Sequence, residues 1–233
     1  MVSVDRIYQI VLAILNKENR GYMTPQEYNL LANQAQLEIF EQYFFDLGQY
    51  NRRGEINNEY ANIVKNIKEK IDLFKIENEQ ISISDGKFKL PETLYRLGTV
   101  QSGTSGNEVE VEPIATNEFI YINKSKLTKP TATYPVYIRE GEEITIHPST
   151  ISSDVVCSFV KKPKEVNWTY EEVNGVALYN ASAEDHQDFE LHASEETNIV
   201  NKVLLYAGLT IKQPDIVQVA DGKETKKITQ EKS

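Results

Sequence analysis

Apolar residues near the start of the chain recur every three or four positions: Val4, Ile7, Tyr8, Val11, Leu12 and Leu15. This spacing draws one stripe along a helix, and Ser3 stands where an N-cap belongs. Asn19-Arg20-Gly21 ends it. The next start is the strongest local signal. Thr24-Pro25-Gln26-Glu27 offers a Thr cap, a Pro at the first helical position and a Glu at the third, which together make a capping box. The helix it opens runs to about Leu47 and is apolar over a wide arc, through Leu30, Leu31, Ala35, Leu37 and Ile39 as well as aromatics. Such a helix is covered from several sides, by its own chain or by a neighbouring subunit. Phe40, Tyr43, Phe44 and Phe45 are therefore the first candidate subunit-interface residues. Gly48 to Gly54, with Arg52-Arg53, reads as a solvated turn. A third helix follows from about Asn58, with Tyr60, Ile63, Val64, Ile67, Ile71 and Phe74 as its stripe. Residues 1–79 are thus expected to form a helical bundle.

From Ile81 the period changes to two. Ile81–Ser84 and Lys87–Leu90 flank Asp85-Gly86, the sequence of a hairpin. Further strands are predicted over Leu94–Val100, Glu108–Glu112 and Asp154–Val160. A second hairpin is predicted across Tyr134–Pro148, and a short helix or turn over Thr116–Lys124. Short strands at this spacing predict an antiparallel β-rich domain over 80–180, a sandwich or a barrel. A long helix is expected to open at Ser182 or Ala183, where Glu184, Asp185 and Asp188 suit the dipole, and to end near Gly208. This helix, within 181–212, is expected to pack on the bundle. Residues 213–233 read as an extended tail, too polar to bury itself, with one strand-like stretch at Ile216-Val217-Gln218-Val219. An arm that adds a strand to a neighbour would use Ile216, Val217 and Val219, which join the interface candidates. The predicted fold class is α+β: an N-terminal helical bundle, an antiparallel β-sandwich or barrel-like domain, a long C-terminal helix and an extended arm.

Composition narrows what such a fold does. The 233 residues carry a net charge of −10, which argues against wrapping nucleic acid electrostatically. No apolar run approaches the roughly 20 residues a bilayer needs, and Met1–Arg6 does not read as a targeting segment. The single cysteine, Cys157, excludes an intrachain disulfide and a cysteine-based zinc site, and lies in a strand pattern as a small buried hydrophobe. Gly103–Gly106 lacks the Gly-Lys-Ser/Thr ending of a phosphate loop. His186 and His192, six apart on the expected helix, do not face one another, and Asp188 and His192 read as an i,i+4 ion pair. Glu142-Glu143 and Glu171-Glu172 read as solvent charge. No catalytic, metal or cofactor site is expected, and the chain is not expected to be an enzyme.

The order of parts carries a resemblance across roughly the whole chain. Gly21–Leu31 and Ala35–Phe44, then the Pro135–Pro148 hairpin, Lys161-Lys162-Pro163, Trp168 and the C-terminal helix with its tail, resemble the head-to-tail connector proteins of short-tailed phages. These are the adaptor or tail-tubular ring proteins, and the chain is most similar to ring proteins of crAss-like and related marine phages. The resemblance implies a virion protein that forms a ring, usually dodecameric, under the portal protein. Neighbouring tail and ring proteins, and phage DNA passing through the channel without sequence-specific binding, would be its other partners. A second reading is a fibre or spike adaptor, or a carbohydrate-binding virion module in which Trp168 and Tyr170 form a sugar platform.

Overall fold

A computed structural model describes residues 1–17, 23–51, 63–103 and 106–210. The fold is α+β. The chain forms two compact units, one from residues 1–73 and 163 onward, the other from 74–162. Residues 74–79 therefore go with the strands and 163–180 with the helices, whereas the sequence pattern placed 80–180 in the β domain.

The first unit contains α1 (Val4–Lys17), α2 (Pro25–Asn51) and α3 (Ile63–Asp72). Ser3 caps α1, its Oγ accepting from the Arg6 amide at 3.4 Å. The capping box of α2 forms as the sequence indicates. The Glu27 amide donates to Thr24 Oγ1 at 3.3 Å, and Glu27 Oε2 accepts from the Thr24 amide at 2.9 Å. Those bonds hold the Glu27 carboxyl below its ordinary pKa, the Thr24 amide contributing most. α2 is longer than expected, passing through Gly48 to Asn51. Arg52-Arg53 and the expected start of the third helix lie outside the described residues. α3 buries Ile67 and Ile71, but Phe74 does not extend its stripe: it belongs to the other unit, where its carbonyl accepts from the Lys161 amide at 2.8 Å.

The C-terminal helix is shorter than expected. Residues 182–192 are not helical; a 3₁₀ turn spans Ala193–Glu195 and α5 spans Glu196–Thr210. The reason is the period. Phe189 and Leu191 are both fully buried, and two residues apart they share a face only in an extended chain. The stretch is pinned accordingly, with Val2 and Phe189 exchanging backbone hydrogen bonds at 3.2 and 3.4 Å. α5 packs against α1 and α2, and α2 also packs against α3.

The second unit is a curled, eight-stranded sheet in the order β1-β8-β4-β5-β6-β7-β3-β2. The strands are β1 (Lys75–Ile81), β2 (Ile83–Ser84), β3 (Lys87–Lys89), β4 (Leu94–Ser102), β5 (Val109–Pro113), β6 (Val136–Glu140), β7 (Glu143–His147) and β8 (Val155–Lys161). Only Ser82 separates the two end strands of that order. The sheet closes on itself because residues 75–84 pair with β8 through their first part and with β3 through their last. The sandwich-or-barrel alternative therefore resolves towards a barrel-like closure. Alternation fills the inside: Val155, Cys157 and Phe159 on β8, and Ile144 and Ile146 on β7, are buried. Cys157 is one of these core groups, and burial, with Glu79 nearby, raises its thiol pKa to about 11. Asp85 and Gly86 both adopt positive φ, 50° and 79°, as the two-residue hairpin turn requires.

Every pairing in this sheet is antiparallel except β5 with β6, where Glu112 opposes Val136. Parallel neighbours need a long crossover. Residues 114–135 supply it and include α4 (Thr116–Lys124).

At one point β4 and β8 approach very closely: a Cβ on Gly98 would lie 2.8 Å from the backbone oxygen of Ser158. Gly98→Ala is expected to cost about 1–3 kcal/mol through forced backbone displacement. Urea unfolding of the variant checks this, with Gly48→Ala as the contrast: it has open space inside α2 and is expected to stabilise by about 0.5–1 kcal/mol.

Candidate functional site

The described helical unit is organised around one line of amides. Asn29, Asn33 and Gln36 lie on one face of α2, at i, i+4 and i+7. Beside them runs the extended segment 164–168. The Asn29 side chain accepts from the Trp168 amide at 2.9 Å and donates to the Trp168 carbonyl at 3.3 Å. Asn33 accepts from the Val166 amide at 2.6 Å and donates to its carbonyl at 2.9 Å. Gln36 donates to the Lys164 carbonyl at 2.7 Å and accepts from the Glu190 amide at 3.1 Å, while Glu190 Oε2 takes the Lys164 amide at 2.9 Å. The periods match. Four residues of helix rise about 6 Å, and two residues of strand about 6.6 Å. Three residues of helix rise only about 4.5 Å, and the extra methylene of Gln36 covers the difference. A helix face thus substitutes for a neighbouring strand.

This ladder positions Trp168. The indole is buried, 2% exposed, and its Nε1 donates to Asp5 Oδ1 at 2.9 Å. Tyr8 lies against it at 4.4 Å between ring centroids, with Tyr170 and Tyr179 stacked on it at 5.8 and 5.7 Å. Trp168 is therefore an interior anchor, which removes it from a sugar platform. Burial, with the Asp5 charge next, pushes the Tyr28 hydroxyl well above its ordinary pKa; that hydroxyl donates to the Val4 carbonyl at 2.9 Å.

Tyr170 and Tyr179 belong to a hairpin the sequence reading missed, β9 (Tyr170–Val173) and β10 (Val176–Tyr179). Its signal was present: Asn174-Gly175, with φ of 54° and 78°, is the type of pair that closes a two-residue turn. The register places Tyr170, Glu172, Ala177 and Tyr179 on the face against Trp168. Glu171, Val173, Val176 and Leu178 form the opposite face, and all four are exposed.

Two ion pairs, each with one buried partner, secure α5 and its approach. Glu195, 1% exposed, accepts from Lys70 Nζ at 2.6 Å and from Asn198 at 2.7 Å. Lys202 reaches Glu38 at 3.0 Å, and the Tyr206 hydroxyl donates to the same carboxylate. Burial acts to raise the Glu38 pKa, but the hydrogen bonds from Tyr206 and Lys202 outweigh it and hold the group below the ordinary carboxylate range.

The other expected residues fall as follows. Phe40 and Tyr43 are buried in the core of their own unit, which corrects their placement at a subunit interface: α3 and α5 already cover those sides of α2. Phe44 is half-buried and Phe45 is 57% exposed. Ile216, Val217 and Val219, with the rest of the tail, lie outside the described residues. The expected Asp188–His192 helical pair does not form. Asp188 Oδ1 accepts from the Val4 amide at 2.7 Å, and His192 Nδ1 instead accepts from the Ser194 amide at 3.2 Å. Among the described residues no group of three or more His, Cys, Asp or Glu side chains could hold a metal ion. Among them, too, no helix is long and apolar enough to cross a membrane.

The barrel presents the other conspicuous surface. α4 buries none of its residues. Phe119 stacks on His147 at 4.1 Å between ring centroids, and burial lowers the His147 pKa. Elsewhere along the crossover Ile120, Tyr121 at 74%, Tyr134 at 78% and Leu127 at 96% are exposed. The loop that carries Leu127 and Tyr134 is tightly tied. Lys129 N donates to the Ser125 carbonyl at 3.0 Å, Thr128 Oγ1 to the Ile122 carbonyl at 3.1 Å, and Thr131 and Tyr134 exchange backbone bonds at 3.1 and 3.3 Å. No family model matches the chain, and no curated protein matches it.

Two tests follow from this geometry. Asn33→Ala strands the amide and carbonyl of Val166, so a loss of about 2–3 kcal/mol is expected by urea unfolding, against a small change for exposed Gln34→Ala. The second concerns pH. The folded Glu38 carboxyl releases its proton more readily than the unfolded one, so its stabilisation is present above the ordinary glutamate pKa of about 4.3. It is lost as pH falls through the lower folded value. Tyr206→Phe with Lys202→Met should therefore flatten the fall in melting temperature between about pH 5 and 3.

Proposed function

We propose that this chain is a structural virion protein that forms a ring at the phage head-to-tail junction, where it extends the DNA channel below the portal and docks the tail. The observation that carries this reading is the crossover 114–135: a tied loop and helix that hold Tyr121, Leu127 and Tyr134 in solvent instead of over the barrel core. Monomeric soluble proteins rarely set out several large apolar side chains on one ordered element; such surfaces mark contacts with other proteins. A ring supplies that contact in every subunit. The pattern-level resemblance of the sequence to short-tailed phage connectors supplies the location.

The charge fits the same role. A net −10 repels phosphate, so DNA passes the ring without being gripped. The portal protein and adjoining tail proteins are the other partners. The chain acts in the virion, and in the host cytoplasm during assembly. The burial of Trp168 weighs against the alternative of a carbohydrate-binding module, because its ring faces are taken by Tyr8, Tyr170 and Tyr179.

Native mass spectrometry and negative-stain imaging of the purified chain test the proposal. A closed ring that binds purified portal is expected. A persistent monomer or a trimer with glycan affinity would overturn it.

A further inference from the structure

Two exposed apolar surfaces lie on different units of the chain and carry opposite charge. On the crossover, Ile120, Tyr121, Leu127 and Tyr134 are accompanied by Lys124, Lys126 and Lys129, all exposed, with Glu118 the single acid between residues 114 and 135. None of the three lysines forms an ion pair among the described residues. On the outer face of the β9–β10 hairpin, Val173, Val176 and Leu178 stand beside Glu171, the one charged side chain of that face, and residues 170–179 contain no base. Among the described residues, Glu171 is engaged only by the neutral amide of Asn180, at 2.7 Å.

Each surface is ordered before anything meets it. The crossover is held by its own backbone bonds and by Phe119 on His147. The hairpin is held by its ladder and by Tyr170 and Tyr179 on Trp168. Binding to either surface therefore costs little ordering entropy. A two-stranded ribbon is marginal by itself, and its bare outer face lacks the cover that a third layer gives most sheets.

Resting on the ring reading above, we infer that these two surfaces are the two halves of one contact: the crossover of one copy docks on the β9–β10 hairpin of the next. Apolar side chains meet at the centre, and Lys124, Lys126 and Lys129 gather around Glu171 at the rim. The partner is a second copy of this chain, since a basic apolar surface and an acidic apolar surface on one molecule complete each other. Because the two halves differ, the contact is heterologous. Each copy keeps one free half until the series closes, which is how a ring rather than an isolated dimer arises. Like surfaces on two copies repel, so the charges also oppose the wrong, two-fold pairing.

Single-surface variants test this by sedimentation velocity. Leu127→Asp disables the crossover and leaves the hairpin; Leu178→Asp does the reverse. Each variant alone is expected to be a folded monomer by circular dichroism, and an equimolar mixture to form 1:1 dimers and nothing larger. The triple change Lys124→Glu, Lys126→Glu, Lys129→Glu alters only exposed polar positions, so it addresses the same surface without risk to the core. It should abolish the ring, and Glu171→Lys in the same chain should restore it in part. If wild-type chains form a closed ring that these variants leave intact, the pairing is wrong and the ring reading stands. A wild-type chain that never self-associates overturns both. Variants that dimerise alone, or whose mixture stays monomeric, overturn the head-to-tail contact. Loss of portal binding with self-association unchanged would assign the crossover to a foreign partner and overturn it as well.

Discussion

The helical unit depends on α2 acting as a substitute strand. Residues 164–168 run extended between α2 and the return segment near Glu190, without a sheet to take their backbone groups. An unpaired backbone group buried there would cost as much as a lost hydrogen bond. Asn29, Asn33 and Gln36 meet that demand because a helical repeat of four and a strand repeat of two advance by nearly the same distance. The described segment from Lys164 to Tyr179 inherits its position from this ladder. It places Trp168, whose rings and indole N–H fix Tyr170, Tyr179 and Asp5. Tyr170 and Tyr179 then fix the hairpin whose outer face stands in solvent.

The barrel is governed by a different constraint, closure. A curled sheet whose ends are one continuous segment has little exposed edge to protect, and its only parallel pair obliges the chain to travel outside. The crossover is thus a topological necessity, but its chemistry is not. A crossover helix ordinarily lays an apolar stripe on its sheet. α4 commits Phe119 and Ile122 to that side and leaves Ile120 and Tyr121 facing away.

Which parts were legible follows from how local their causes are. The capping box at Thr24–Glu27, the Asp85-Gly86 hairpin and the alternation of β8 are short-range and legible directly, while Thr116–Lys124 reads as a short helix or turn and is a helix. β1 was not legible, because Lys75–Ile81 is mostly polar and only its pairing with β8 makes it a strand. The long C-terminal helix was overextended because Glu184, Asp185 and Asp188 imitate a helix start, while the period-two burial of Phe189 and Leu191 shows only when the core is known. The amide ladder was invisible: on a sequence, Asn29, Asn33 and Gln36 are simply the polar side of a helix. Phe40 and Tyr43 were assigned to an interface for the complementary reason. A wide apolar arc does not say whether the same chain or another one covers it, and here α3 and α5 do. Asn174-Gly175 alone was a legible signal left unread.

These particulars leave a division of labour. The aromatic and amide interior of the helical unit is self-sufficient and holds a hairpin outward; the barrel does the same for its crossover. Each outward element turns one side to its own core and leaves large apolar side chains on the other, and on the proposed reading those outer sides are contact surfaces. The most direct measurement of the proposed role is a cryo-electron microscopy map of the phage particle in which that proposal places the chain. The account predicts a closed ring of copies encircling the DNA channel between portal and tail. Density for the chain only on fibres or spikes, away from the channel axis, would contradict it.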